Sequence, residues 1–186
     1  MSSSLASRWT IFDRAIQRLR FRRVSRLIPQ NCILADCGCG SGEFLKYIRN
    51  RTTKAFGIDF VVKGTADKII YLKADLNKRI PLPDESVDVV TALAVLEHLD
   101  NPLNFISEIF RILKKQGICV LTTPAPFSKP LLEFLAYKLK IISVNDIQDH
   151  KHYFSREDLL ALSREFTSIN IRYFLFNLNT LVVLSK

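Results

Sequence analysis

At 186 residues the chain has room for one domain with a buried core and too little for two of ordinary size. Hydrophobic residues make up 48% and charged residues 24%, a globular balance that excludes a disordered, collagen-like or disulfide-stapled chain. The net charge is +9, but seven arginines (Arg8, Arg14, Arg18, Arg20, Arg22, Arg23, Arg26) against Asp13 put +6 of it on residues 1–31, which reads as a basic arm on a near-neutral domain rather than a nucleic-acid groove.

The arm, residues 1–30, carries a helical pattern over residues 9–28. Trp9, Phe12, Ile16, Leu19 and Leu27 can share an apolar stripe, with Arg14, Arg18, Arg22 and Arg26 stepping round a polar side. Such a helix either packs on the domain with its arginines in water or touches an anionic membrane surface. The longest apolar run, Ala92–Leu96, cannot span a bilayer, and the start of the chain lacks the apolar stretch of a secretory signal. A cytoplasmic protein, peripheral at a membrane if the arm binds one, is expected. Cys32, Cys37, Cys39 and Cys119 fall in apolar contexts, which suits a reducing compartment. The histidines are not spaced for a zinc site with Cys37 and Cys39.

Residues 31–186 alternate. Strand-like runs occur at Ile33–Asp36, Ala55–Ile58, Ile69–Leu72, Val87–Thr91 and Ile118–Thr122, with helical spacing between several of them. One helix is predicted to start at Pro102, capped by Asp100 or Asn101, and to run through Lys114 and Lys115 to a stop at Gly117. A second follows a capping box of Ser155 and Asp158. Ile169–Phe176 and Thr180–Leu184 are separated by three residues, enough for a hairpin and too few for a helical crossover. The pattern predicts a Rossmann-like, doubly wound, mostly parallel sheet of seven strands closed by an antiparallel hairpin, preceded by the helical arm. Residues 124–154, broken by Pro124, Pro126 and Pro130 and then apolar at Leu131, Leu132, Leu135, Leu139 and Ile142, read as either a packed helix or a cover over an acceptor site.

The chemistry-bearing segment is Ile33-Leu34-Ala35-Asp36-Cys37-Gly38-Cys39-Gly40-Ser41-Gly42: a buried strand, an acid at its carboxyl end and three alternate glycines before a helix. Ligands bind outside the carboxyl ends of strands in such sheets, and glycine lets them approach the backbone. A dinucleotide loop needs its third glycine one residue later, so a nicotinamide oxidoreductase is disfavoured. Asp36 suits a cationic ligand better than a pyrophosphate.

These residues resemble the first motif of the class I S-adenosylmethionine-dependent methyltransferases, D/E-x-G-x-G-x-G. Asp59, 23 residues beyond Asp36, ends the second strand where the family's carboxylate meets the ribose hydroxyls. Asp75-Leu76 ends the third, where the family places an acid near the adenine, and Ser86–Leu93 resembles the fourth. His150, His152 and Tyr153-Phe154-Ser155 look like a late motif of the small-molecule, type 11 branch. The resemblance implies S-adenosylmethionine as cofactor, Asp36, Gly38, Gly40, Gly42, Asp59, Asp75, Leu76 and Leu93 as its binding residues, and a small-molecule acceptor, partly apolar or lipid-linked, with O-methylation favoured. His98, His150 and His152 are candidate bases because imidazole titrates near neutrality. The similar ubiquinone-biosynthesis O-methyltransferases read E-x-x-E-H where this chain reads Ala94-Val95-Leu96-Glu97-His98; with the first carboxylate missing, no metal is expected. A nucleic-acid methyltransferase is the alternative. It is disfavoured because no N-P-P-Y or D-P-P-Y tetrad follows the fourth strand and no second RNA-binding domain fits.

Overall fold

The structure, a computed structural model, describes residues 11–61, 65–66, 68–134 and 149–186. β1 (Cys32–Cys37) is buried at every position except Ile33, so both of its faces must be covered and both of its edges paired. β2 (Thr52–Asp59) pairs with it in parallel on one side and β5 (Val87–Leu93) in parallel on the other. Beyond β2 lies β4 (Ile69–Lys73), also parallel, and then the two-residue β3 (Thr65–Ala66), antiparallel. Beyond β5 lies β6 (Leu113–Pro124), parallel, followed by the antiparallel pair β8 (Asn179–Ser185) and β7 (Ser168–Phe174). The order is β3-β4-β2-β1-β5-β6-β8-β7. The seven expected strands and the closing hairpin are present; the eighth, β3, is too short to leave a periodic signal.

Successive strand residues point to opposite faces, and the core divides accordingly. Leu34 and Val89 join Phe44, Leu45 and Ile48 of α2 (Glu43–Ile48) on one face. Ala35 and Val90 join Phe105, Ile106, Ile109 and Ile112 of α3 (Pro102–Ile112), and Leu159 of α5 (Arg156–Leu162), on the other. Ser155 and Asp158 form the expected capping box of α5. Between β6 and α5 lies the short α4 (Lys129–Glu133). Leu135, Leu139 and Ile142, the rest of the expected cover stripe, lie outside the described residues.

The structure packs one expected helix and shortens another. α1 (Ile11–Ser25) packs on the α2 face through Phe21 and Val24, with Ile28 just beyond it, while Leu19 is 49% exposed. Phe21 touches the rings of Phe44 and Tyr47 at 5.1 and 5.8 Å. Phe21, Val24 and Ile28 thus join the domain's core, while Arg22, Arg23 and Arg26 stay exposed, the packed form of the expected helix. Trp9 and the side chain of Phe12 lie outside the described residues. α3 stops at Ile112, before Lys114, Lys115 and Gly117. Leu113 is fully buried opposite Val87, and Lys114 Nζ reaches Asp88 Oδ1 at 2.8 Å, so extended pairing wins over another helical turn.

Arg111 ties α3 to the segment that follows β4. Its guanidinium donates to both carboxylate oxygens of Glu108 (2.9 and 2.7 Å), to Asp84 (2.6 Å) and to the carbonyls of Ile80 and Leu82 (each 2.9 Å). Glu108 in turn accepts from Ile80 N at 2.8 Å. The guanidinium side chain is only 18% exposed, so removing it strands a carboxylate and two carbonyls.

Of the acids on the strands, one is buried. Asp36 is 3% exposed near the end of β1, where its Oδ1 accepts from Thr91 Oγ1 at 2.6 Å. Burial pushes its carboxyl from an ordinary 3.8 up to about 7; the Thr91 bond opposes the rise and the Asp59 charge adds to it.

Two outcomes follow from these interactions. Arg111→Ala should lower unfolding free energy by about 3 kcal/mol in chemical denaturation, the usual cost of breaking a largely buried pair; a change below about 0.5 kcal/mol, as at a surface site, would contradict this account. Asp36 binds its proton more tightly folded than unfolded, so its contribution to stability falls as pH rises from about 4 to 7 and is flat above. Asp36→Asn abolishes that fall. The variant's stability relative to wild type should therefore increase over this window in ligand-free protein, and a pH-independent difference would refute the assignment.

Candidate functional site

The chain leaves β1 toward β2 on one side and only later returns as β5 on the other, so the carboxyl ends of these strands frame a crevice that no connection crosses. A cavity of about 460 Å³ lies there. Its walls are Gly38 after β1, Asp59 and Phe60 at the end of β2, Ala74 to Asn77 after β4, and Ala94, Val95, His98 and Leu99 after β5.

The glycine loop is shaped by two different pressures. Gly38 has φ +76°, and a Cβ there would collide with Val95 Cγ2. Gly40 has φ +51°, and a Cβ there would meet nothing within 4 Å. A side chain is excluded at Gly38 by the protein, whereas open space lies beside the Gly40 backbone, as a loop that receives a ligand requires. Asp59 holds this loop: Oδ2 accepts from Gly40 N at 2.8 Å and Oδ1 from Val61 N at 3.2 Å. A carboxylate has roughly four acceptor positions, so about two remain for a ribose diol.

Asp75 and Leu76 also line the cavity. Asp75 Oδ1 accepts from Asn77 N and Nδ2 at 3.0 and 3.2 Å, bonds that hold its carboxyl below the usual range. Asn77 Oδ1 in turn accepts from Asp100 N at 2.7 Å. Asp36, Gly42 and Leu93 stand behind the cavity wall. Asp36 is turned to Thr91, a Cβ on Gly42 would strike Tyr71 Oη, and Leu93 packs against the α2-face core. Ala94 carries φ +58° without being glycine and is fixed by its N–H on Thr122 O at 2.9 Å. Such strain clusters at sites where the backbone must present itself to a ligand.

The three candidate histidines separate. His98, on the single 3-10 turn Leu96–His98, lines the cavity, and its Nδ1 lies 3.0 Å from Asp149 O. His150 stacks against His98 with ring centroids 5.0 Å apart and sets Nδ1 3.1 Å from Tyr153 Oη. Burial first, then the His98 charge, push the His150 imidazole down to about 4, with Asp149 opposing and Arg20 adding to the fall. His152 is exposed and lies against Phe154, away from the cavity.

Glu97 is the residue that the sequence undervalued. It is completely buried, and its carboxylate faces its own backbone N–H and the Thr123 hydroxyl without a well-aligned hydrogen bond to either. Burial raises its pKa, opposed in turn by its own backbone N–H, His98, Arg20 and Thr123. One donor atom from each of Glu97, His98 and His150 lies within 4.8 Å of the others. A helical reading of Val95–Leu99 places Glu97 in solvent; only the tertiary fold buries it.

Comparison with known proteins accords with this geometry. Residues 35–121 match the family described as Methyltransferase domain. A protein of Mycolicibacterium smegmatis named a probable S-adenosylmethionine-dependent methyltransferase is 34% identical over 94 residues, 48% of this chain and 37% of that protein. A malonyl-[acyl-carrier protein] O-methyltransferase of a Marinomonas species is 24% identical over 182 residues, 86% of this chain and 65% of its own length. The chain spans less than half the length of the first curated relatives it matches. A solved S-adenosylmethionine-dependent methyltransferase of Archaeoglobus fulgidus superposes with a TM-score of 0.73 over 93% of this chain and 94% of the other at 20% identity, a likeness of fold. With its glycine loop, the acids that end its strands and its closing hairpin, the chain carries a match to the methyltransferase-domain family over residues 35–121 and shares the fold of the S-adenosylmethionine-dependent methyltransferases.

Proposed function

We propose that this protein transfers a methyl group from S-adenosylmethionine to an oxygen of a small, partly apolar acceptor. The observation that carries the reading is the cavity at the carboxyl ends of β1, β2, β4 and β5, lined by Gly38 and by Asp59 with its spare acceptor positions. The bound sulfonium supplies an already activated methyl group, and the protein's task is alignment and exclusion of water, worth about 7–11 kcal/mol in well-held cases. Gly38 and Gly40 admit the donor, and Asp59 holds its ribose. Asp75 stands near the adenine, and Phe60, 64% exposed at the cavity wall, gives the acceptor an apolar contact. An oxygen acceptor must also lose a proton. The groups adjoining the cavity with that capacity are His98 and its neighbours Glu97 and His150, not His152. A relative named for O-methylation of a carrier-bound malonyl group favours oxygen over carbon or nitrogen.

A second reading concerns α1. Arg14, Arg18, Arg22 and Arg23 on the helix and Arg26 just beyond it are exposed, and Leu19 stands exposed among them. That surface fits an anionic membrane, to which each nearby basic residue contributes about 1 kcal/mol, and suits a lipid-linked acceptor.

S-Adenosylhomocysteine should bind in a calorimeter, and Gly40→Val should abolish binding by filling the open space. Asp59→Ala should weaken it at least tenfold, since each charge-assisted bond lost is worth about 1.5–3 kcal/mol. Unchanged affinity in Gly40→Val would remove the donor site from this crevice. In flotation, the protein should rise with vesicles containing phosphatidylserine but not with neutral ones, and Arg18, Arg22 and Arg26 changed together to Gln should stop it. Failure to bind the anionic vesicles at low salt would end the membrane reading.

A further inference from the structure

We propose that the tip of the closing hairpin, residues 175–178 led by Phe176, is a wedge that inserts into an anionic lipid bilayer beside the basic surface of α1; the proposal rests on the membrane reading of that helix. Phe176 is 98% exposed, and its backbone is held there against preference. Leu175, Phe176 and Asn177 have φ of +52°, +54° and +66°, and Leu178 N closes the turn on Leu175 O at 3.0 Å. Left-handed backbone suits glycine and asparagine and opposes Leu and Phe. A turn that only had to reverse the chain is built from the former. Two large apolar residues kept in that conformation point to a use for their side chains.

Three contacts set what surrounds the tip. Ala125 N donates to Leu178 O at 3.0 Å, which joins the turn to the chain leaving β6. There the exposed Phe127 packs on the exposed Tyr173 with ring centroids 5.9 Å apart, so apolar surface continues along one face of the hairpin. On the other face Arg20 of α1 donates to Asn179 Oδ1 at 3.3 Å. Asn179 lies opposite Pro124 at the carboxyl end of β6, and α1 ends at Ser25, a short loop ahead of Cys32 at the start of β1. The helix therefore begins at the carboxyl end of the sheet and descends toward its amino end. Its exposed Arg14, Arg18 and Leu19 stand at the same end as Phe176.

Charge and area together name the occupant. Residues 14–26 carry six arginines and no acid, no acid follows Glu165, and Arg172 is exposed on β7, so the surface around the tip is complementary to anionic headgroups. One Phe offers about 150–250 Å² of contact, far below the roughly 800 Å² that each partner of a stable protein complex buries. A bilayer makes no such demand: one or two apolar side chains beneath the headgroups and several cations among them hold a peripheral protein. The donor crevice lies at the same end of the sheet, so an acceptor carried on a lipid reaches it from the surface that the wedge holds.

In the full chain with Trp9→Phe, Phe176→Trp supplies the one indole. On vesicles of phosphatidylcholine and phosphatidylserine its emission should shift to shorter wavelength and be quenched by phospholipid brominated in the acyl chains. In flotation Phe176→Ser should weaken partitioning about tenfold, the loss expected when a Phe side chain forgoes burial. The factor should be the same at low and high salt, because an apolar contact is not screened. S-Adenosylhomocysteine should bind Phe176→Ser as it binds wild type, which certifies the fold. Vesicle-bound protein with an unquenched indole, or unchanged partitioning of Phe176→Ser, overturns the wedge and leaves the reading of α1 standing. Wild type that ignores anionic vesicles ends both. If Phe176→Ser turns a dimer into a monomer in sedimentation while vesicle binding is unchanged, a second copy of the chain covers the tip and the wedge is likewise overturned.

Discussion

The two-sided burial of β1 is the constraint on which the rest depends. A strand with no free edge and no free face needs neighbours left and right; here both are parallel, and they cannot both be reached by one short connection. The chain goes first to β2 and β4, then returns to the other side as β5 and β6. The crevice above the end of β1 is the geometric residue of that detour. Its lining comes from four strand ends far apart in sequence, and Arg111 anchors one of them by holding the segment after β4 against α3.

Two acids are buried near this crevice, and their surroundings differ. Asp36 has a hydroxyl donor from the neighbouring strand and makes a self-sufficient pair with Thr91. Glu97 faces the Thr123 hydroxyl without a well-aligned bond to it. A protein that only needed to fill space there would gain from an apolar side chain.

Much of this arrangement was legible before the fold was known, for reasons that can be named. β1 and its glycine loop announced themselves because burial on both faces forces a continuous apolar run, and the backbone needs of the following turn force glycine. The closing hairpin was legible from connection length alone. α1 was harder: its sequence offers two apolar stripes, and choosing Phe21, Val24 and Ile28 over Ile16 and Leu19 requires knowing which side meets Phe44. The end of α3 depended on Leu113 pairing with Val87, a contact between distant residues. His150 could be suspected from a motif, but its place beside Glu97 and His98 is set by backbone hydrogen bonds that no local pattern encodes.

Those backbone bonds have a wider consequence. Lys151 and His152 are clamped to the Glu97 carbonyl, while on the other side of residues 135–148 Ala125 N is held by Leu178 O and Ser128 by Ala125. Both anchor points belong to the sheet framework and not to the segment between them. The two ends of the intervening chain are therefore positioned by the turn after β5 and by the turn of the closing hairpin, not by one another.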